Sequence, residues 1–170
     1  MSTVGSIVVP SEVARSRRAG KVGAEAYRSA KVIADRMLIW GGLLGVALGL
    51  MQLLCLPLLN SFSPLKEVQQ AARLPSIIGA ILQTINGVVF VGEGIQQGNQ
   101  AFTSLAAVTF VATVGMLTSL HFFGGTLAGV WASFSVFNGI RLAGVLRHHF
   151  LSGPFAQVTP APAAGKERGV

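Results

Sequence analysis

Four long apolar runs, separated by short polar or glycine-rich links, constrain this chain more than any other feature. The first, Met37 to Leu59, reads MLIWGGLLGVALGLMQLLCLPLL and holds one clearly polar side chain, Gln52. A helix of about 20 apolar residues crosses a bilayer core, so this run suffices by itself. A second extends from about Leu74 to Ile95, a third from Ala101 to Phe122, and a fourth from Thr126 to Leu146, after the Gly124-Gly125 break. A soluble core in a chain of 170 residues has no room for four such stretches. Only 11% of the residues are charged, against about 25% in an average soluble domain. The expected fold is all-α: a polytopic membrane protein of about four transmembrane helices, preceded by an amphipathic helix.

The amphipathic helix is read over Lys21 to Arg36, where Val22, Ala26, Ala30 and Ile33 recur at helical spacing while Arg28, Lys31 and Asp35 fall elsewhere. It either lies along the membrane surface or is a solvated connecting helix. Glu12, Glu25 and Asp35 argue against reading the amino terminus as a transit peptide, a class poor in acids. In the second run, Pro75 suits a first helical turn, where its missing N–H has no partner to lose. The Thr and Ser hydroxyls of the third run can bond back to the helix's own carbonyls and so enter lipid at little cost. Pro57 is expected to bend the last turn of the first run. The domain reading is a cytoplasmic segment over 1–36, a transmembrane region over 37–150 and a disordered cytoplasmic tail over 151–170, rich in Pro, Ala and Gly.

Charge orients the runs. Arg15, Arg17, Arg18, Lys21, Arg28, Lys31 and Arg36 precede the first, and Arg141, Arg147, Lys166 and Arg168 lie at or beyond the end of the fourth. The link between the first and second holds only Lys66 and Arg73. By the positive-inside rule both termini are cytoplasmic, or stromal in an organelle, with the identity of the membrane left open. The net charge of +7 is thereby explained by topology, and no nucleic-acid partner is expected. Cys55 is the single cysteine, which rules out an internal disulfide framework, and the adjacent His148 and His149 point different ways on a helix, so no metal site is expected. His121 receives no role. No nucleophile elbow, phosphate-cradling loop or zinc-binding helix is visible, so the chain is not read as an enzyme.

Within the second run, Gln83, Asn86, Phe90, Glu93 and Gln97 are spaced to form one stripe along a helix. A polar stripe at membrane depth faces other helices or a water-filled cavity, because an ionised group in hydrocarbon costs several kcal/mol. Glu93 lies about 27 Å of helix beyond Pro75, near the cytoplasmic edge, at about 1.5 Å per residue. It is either an interfacial acid, solvated or paired with a nearby Arg, or part of a solute or cation cavity. Gln83 and Asn86 divide evenly between interhelical hydrogen bonding and cavity lining. In the first run Gly41, Gly45 and Gly49 form overlapping small-xxx-small units that admit another backbone closely.

The stretch NGVVFVGEGIQQGNQAF, from Asn86 to Phe102, resembles the tenth helix of multidrug and toxic compound extrusion (MATE) transporters, with Glu93 before Gly94 as in the branch of the DNA-damage-inducible protein F type. GTLAGVWASFSVFNGIRLAGVLRHHF is similar to the family's last helix, and SIVVPSEVARSRRAGKVGAEAYRSAKVIADRML to the end of its eighth helix and the link into the ninth. The resemblance covers about residues 4 to 150 and assigns the four runs to helices nine to twelve. It implies part of the carboxyl-terminal bundle of a secondary antiporter of small organic solutes, coupled to H+ or Na+ and without a bound cofactor. Such a chain is the last third of a longer transporter, expects the amino-terminal bundle as partner beside the lipid bilayer, and is not competent alone. Asn86 stands where sodium-coupled members carry an acid, so that cation ligand is missing. The alternative is a small four-helix interaction or structural protein of the membrane that associates through Gly41, Gly45 and Gly49. A membrane-embedded enzyme ranks third.

Overall fold

The computed structural model describes residues 7–8, 10–14, 24–58 and 65–156. They are helical, with no strand among them, and four long helices dominate: α1 (Ala24–Leu54), α2 (Lys66–Gly98), α3 (Phe102–Phe123) and α4 (Leu127–Arg147). All four belong to segments long and apolar enough to cross a membrane. Their apolar surface points outward. Within the most apolar window of each segment only 6 to 22% of the residues are buried, and Trp40, Leu54, Phe110 and Phe122 are among the most exposed. Water does not tolerate an apolar surface of that extent on a monomer. The architecture is compatible with an integral membrane protein.

The helices follow from local chemistry that differs in places from the runs. Helix α1 is continuous, so the expected amphipathic segment and first span are one rod of 31 residues. Composition changes near Arg36, but no Gly or Pro occurs between Ala24 and Trp40 to stop the helix. It ends at Leu54 because Pro57 supplies no donor to the preceding turn and disfavours helical backbone at Leu56. A 3-10 turn over Leu56–Leu58 follows, closed by the Leu58 N–H on the Cys55 carbonyl at 3.0 Å. Helix α2 begins at Lys66, well before Leu74, which places Pro75 in its interior rather than in its first turn. The added residues are mostly good helix formers, and Glu67 in the first turn meets the positive end of the helix dipole.

Tight links join α2 to α3 and α3 to α4. Between α2 and α3, the Ala101 N–H donates to the Gln96 carbonyl at 2.9 Å and the Gln100 N–H to the Gln97 carbonyl at 3.0 Å, a Schellman closure. Gln100 occupies its left-handed position at φ 58°. Helix α4 starts on Thr126, whose hydroxyl accepts the Gly129 N–H at 3.1 Å. Hydroxyls within α3 bond to the preceding turn, Thr113 to the Thr109 carbonyl at 2.9 Å and Thr118 to the Val114 carbonyl at 2.8 Å.

In space, α1 lies on α2, α2 on α4, and α4 on α3. The α1–α2 seam is made by glycines. A Cβ added at Gly41 would stand 2.6 Å from the Gly87 carbonyl oxygen, at Gly45 2.8 Å from that of Thr84, and at Gly49 2.6 Å from that of Ala80. The face that the alternative reading offered to a second molecule is therefore occupied by α2 of the same chain. Beyond α4, a π-helical turn (His148–Ser152) leads into Gly153–Ala156. The expected disordered tail does not begin at 151. Phe155 is 1% exposed and joins Ala30, Ala34 and Leu38 of α1 and Val91 and Ile95 of α2 in a buried apolar cluster. The rest of the expected tail, 157–170, and residues 15–23 lie outside the described residues.

Candidate functional site

The polar stripe of α2 lies beside two partner helices. Ala80, Thr84, Gly87 and Val91 turn toward α1, while Gly79 approaches Trp131 of α4 and Gly92 packs against Val145. Glu93, on the stripe, meets α4. Its two carboxylate oxygens accept hydrogen bonds from Arg141, one from Nε at 2.8 Å and one from Nη2 at 2.7 Å. The arrangement is a fork against a carboxylate, the strongest form of ion pair a side chain offers. Both side chains are largely covered, with 13% of Arg141 and 14% of Glu93 exposed. The guanidinium carbon also lies 5.6 Å from the centre of the Phe90 ring and 5.1 Å from that of Phe137, close enough for cation–π attraction.

Amides are spread along the same helices. Asn138, buried on α4, donates to the Phe134 carbonyl at 2.9 Å. The carbonyl oxygens of Asn86 and Gln96 are buried without a hydrogen-bond partner among the described residues, an arrangement that costs about 1–3 kcal/mol for each group left unsatisfied. Gln83 and Gln97 are partly buried on the same stripe. Gln52 reaches across from α1 to the Ser76 carbonyl at 3.2 Å. Asn86, Glu93 and Arg141 therefore occupy one wall of the bundle, and Gln83 lies further along it.

The depth of the pair follows from helix register. Gly41 sits against Gly87 and Gly49 against Ala80, and continuing that antiparallel register brings Glu93 level with Asp35 and Arg36. Those residues immediately precede the first apolar run. The ion pair consequently lies at the cationic end of the bundle, near the margin of any hydrocarbon layer.

A second polar contact lies at the same end. Nε2 of His149 is 2.6 Å from Oδ1 of Asp35, with the histidine 4% exposed and the aspartate 41%. The imidazole is packed by the rings of Phe150 and Phe155, at centroid distances of 4.8 and 5.7 Å. Lys31 Nζ donates to the Phe155 carbonyl at 3.1 Å. Together these contacts clasp the segment after α4 onto the first half of α1. Sequence reading treated Asp35 as part of a polar helix face and His149 as a discarded metal ligand; the 114 positions between them hide the pairing. Glu93 and Arg141 were each singled out, and the fold brings them together. Among the described residues no group of three or more His, Cys, Asp or Glu side chains is placed to hold a metal ion. Cys55 and His121 are exposed, His121 lying edge-on to Phe122.

A fixed carboxylate–guanidinium pair between two helices of a bundle has a defined chemistry. It holds α2 to α4 through two charge-assisted hydrogen bonds, with both oxygens of Glu93 occupied by Arg141. Comparison of the chain with protein-family models, with curated proteins and with solved structures gives no match in any of the three.

Proposed function

We propose that this chain forms part of the carboxyl-terminal helical bundle of a secondary antiporter of the MATE type, moving small organic solutes against H+ or Na+, with the Gln83, Asn86 and Glu93 wall of α2 facing the solute path. The observation that carries this reading is the Glu93–Arg141 pair with the partnerless buried amide oxygens of Asn86 and Gln96 on the same helix. The pair lies near the margin of the hydrocarbon, and ionisable groups held between membrane helices accompany solute or ion pathways. The resemblance of the Asn86 to Phe102 stretch to the tenth MATE helix points the same way. In this reading the chain works with an amino-terminal bundle and transports nothing by itself.

The test is gradient-driven movement of a fluorescent organic cation in membrane vesicles containing the full gene product. Solute movement that needs an H+ or Na+ gradient, and that falls in Glu93→Gln and Arg141→Gln, is the expected result. Unchanged exchange in Glu93→Gln would remove that residue from coupling. No gradient-dependent movement of any organic cation would leave a four-helix interaction or structural protein, which would have to associate through a face other than Gly41, Gly45 and Gly49.

A further inference from the structure

The α3–α4 pair carries a feature that the transport reading does not use. A groove of about 650 Å3 runs between the two helices, walled by Ala107, Val108, Val111 and Ile140 and closed at the cationic end by Arg147 and His148. No acidic residue lines it. Arg147 has no ion-pair partner among the described residues, whereas Arg141, six residues earlier, is bound to Glu93. The groove opens sideways onto the least buried of the four helices, with only 6% of the α3 window covered and Val111 55% exposed.

We infer that this groove holds one anionic phospholipid of the leaflet at the cationic end, its phosphate against Arg147 and an acyl chain along the Val108, Val111 and Ile140 wall. The inference rests on the four helices crossing a bilayer. Apolar walls below a cationic rim match an amphiphile and not a free anion, which has nothing to place against valine and isoleucine. Guanidinium recognises phosphate through paired donors, and basic pockets between membrane helices on the cytoplasmic side select anionic head groups. The sign follows from the lining. A zwitterionic head group would bring a cation to a rim with no carboxylate to receive it, while an anionic one leaves no charge uncompensated.

The experiment is native mass spectrometry of the full chain, delipidated in an uncharged detergent and offered phosphatidylglycerol and phosphatidylcholine together. One phosphatidylglycerol retained in preference to phosphatidylcholine is the expected result. Arg147→Gln should weaken that retention about fivefold, the contribution of one surface cation, and Arg147→Lys should keep most of it. Ala107→Phe, which fills the groove without touching a charge, should abolish retention of the lipid. Arg36→Gln, a cation at the same end on α1, should leave it unchanged. Equal retention of the two lipids, equal losses in Arg36→Gln and Arg147→Gln, or full displacement by inorganic phosphate would each overturn the proposal. Circular dichroism of each variant separates loss of the site from loss of the fold. A chain that stays monodisperse without detergent would instead defeat the membrane reading beneath it.

Discussion

The two seams that α2 makes are built on opposite principles. Against α1 it presents Gly87, Thr84 and Ala80, so that backbone meets backbone and no side chain separates the rods. Against α4, near the cationic end, it presents Glu93, and the contact is an ion pair flanked by aromatic rings. Dispersion over a close backbone interface is the sum of many short contacts, and even a small separation of the rods forfeits a large share of it. An ion pair depends on two groups, and losing either leaves the other uncompensated. One seam is thus a weld and the other a joint.

The largest expected effect breaks the weld. Gly45→Leu drives a side chain into the Thr84 and Gln83 carbonyls, backbone atoms that cannot turn aside, and should cost about 3 kcal/mol, the upper part of the range for overpacking. Thermal unfolding in detergent measures it, and a variant as stable as the parent would show that the two rods separate freely. Next comes the joint. Glu93→Gln or Arg141→Gln alone should cost about 2–3 kcal/mol, less than for a pair at the centre of a protein because this one lies near the membrane margin. The double substitution should cost less than the two singles added together, the signature of direct coupling in a double-mutant cycle. Strict additivity would mean the pair is not made in the membrane.

Smaller effects sharpen the contrast by probing what adjoins the seams. Asp35→Asn weakens the clasp on His149 and should lower stability by about 1 kcal/mol, since the aspartate is partly solvated. Its clearer readout is faster proteolytic cleavage after α4, with α1–α2 packing intact. The smallest change has the opposite sign. Gln100→Gly relieves the left-handed residue between α2 and α3 and should stabilise the chain by about 0.5–1 kcal/mol. A loss there would show that the Gln100 side chain makes a contact of its own.

The weld was legible in the sequence and the joint only in halves. A glycine every four residues from Gly41 to Gly49 encodes a close face by periodicity alone, although not which helix would fill it. The four runs were legible because apolar composition over about 20 residues has few other uses. Their ends were less so. Lys66 to Arg73 reads as a link by composition, and the amphipathic segment up to Arg36 reads as a helix separate from the first span, yet helix propensity and the absence of breakers carry the backbone straight through both. Glu93 and Arg141 stood out as charges beside lipid, but their pairing spans 48 positions and depends on α4 lying between α2 and α3, an arrangement no local pattern specifies. Asn138 and the Asp35–His149 clasp left no local signal for the same reason. Phe155 was concealed by the Pro, Ala and Gly around it.

The burial of Phe155 bears on how the protein is made. Its ring packs with Ala30 and Ala34 of α1, yet a ribosome working from the amino end makes all four helices before that ring. Until then the first half of α1 has only Val91 and Ile95 of α2 against its inner side. A reporter joined ahead of Phe155 would hold the nascent protein in that unfinished condition, whereas one joined beyond Ala156 would let assembly run to its end.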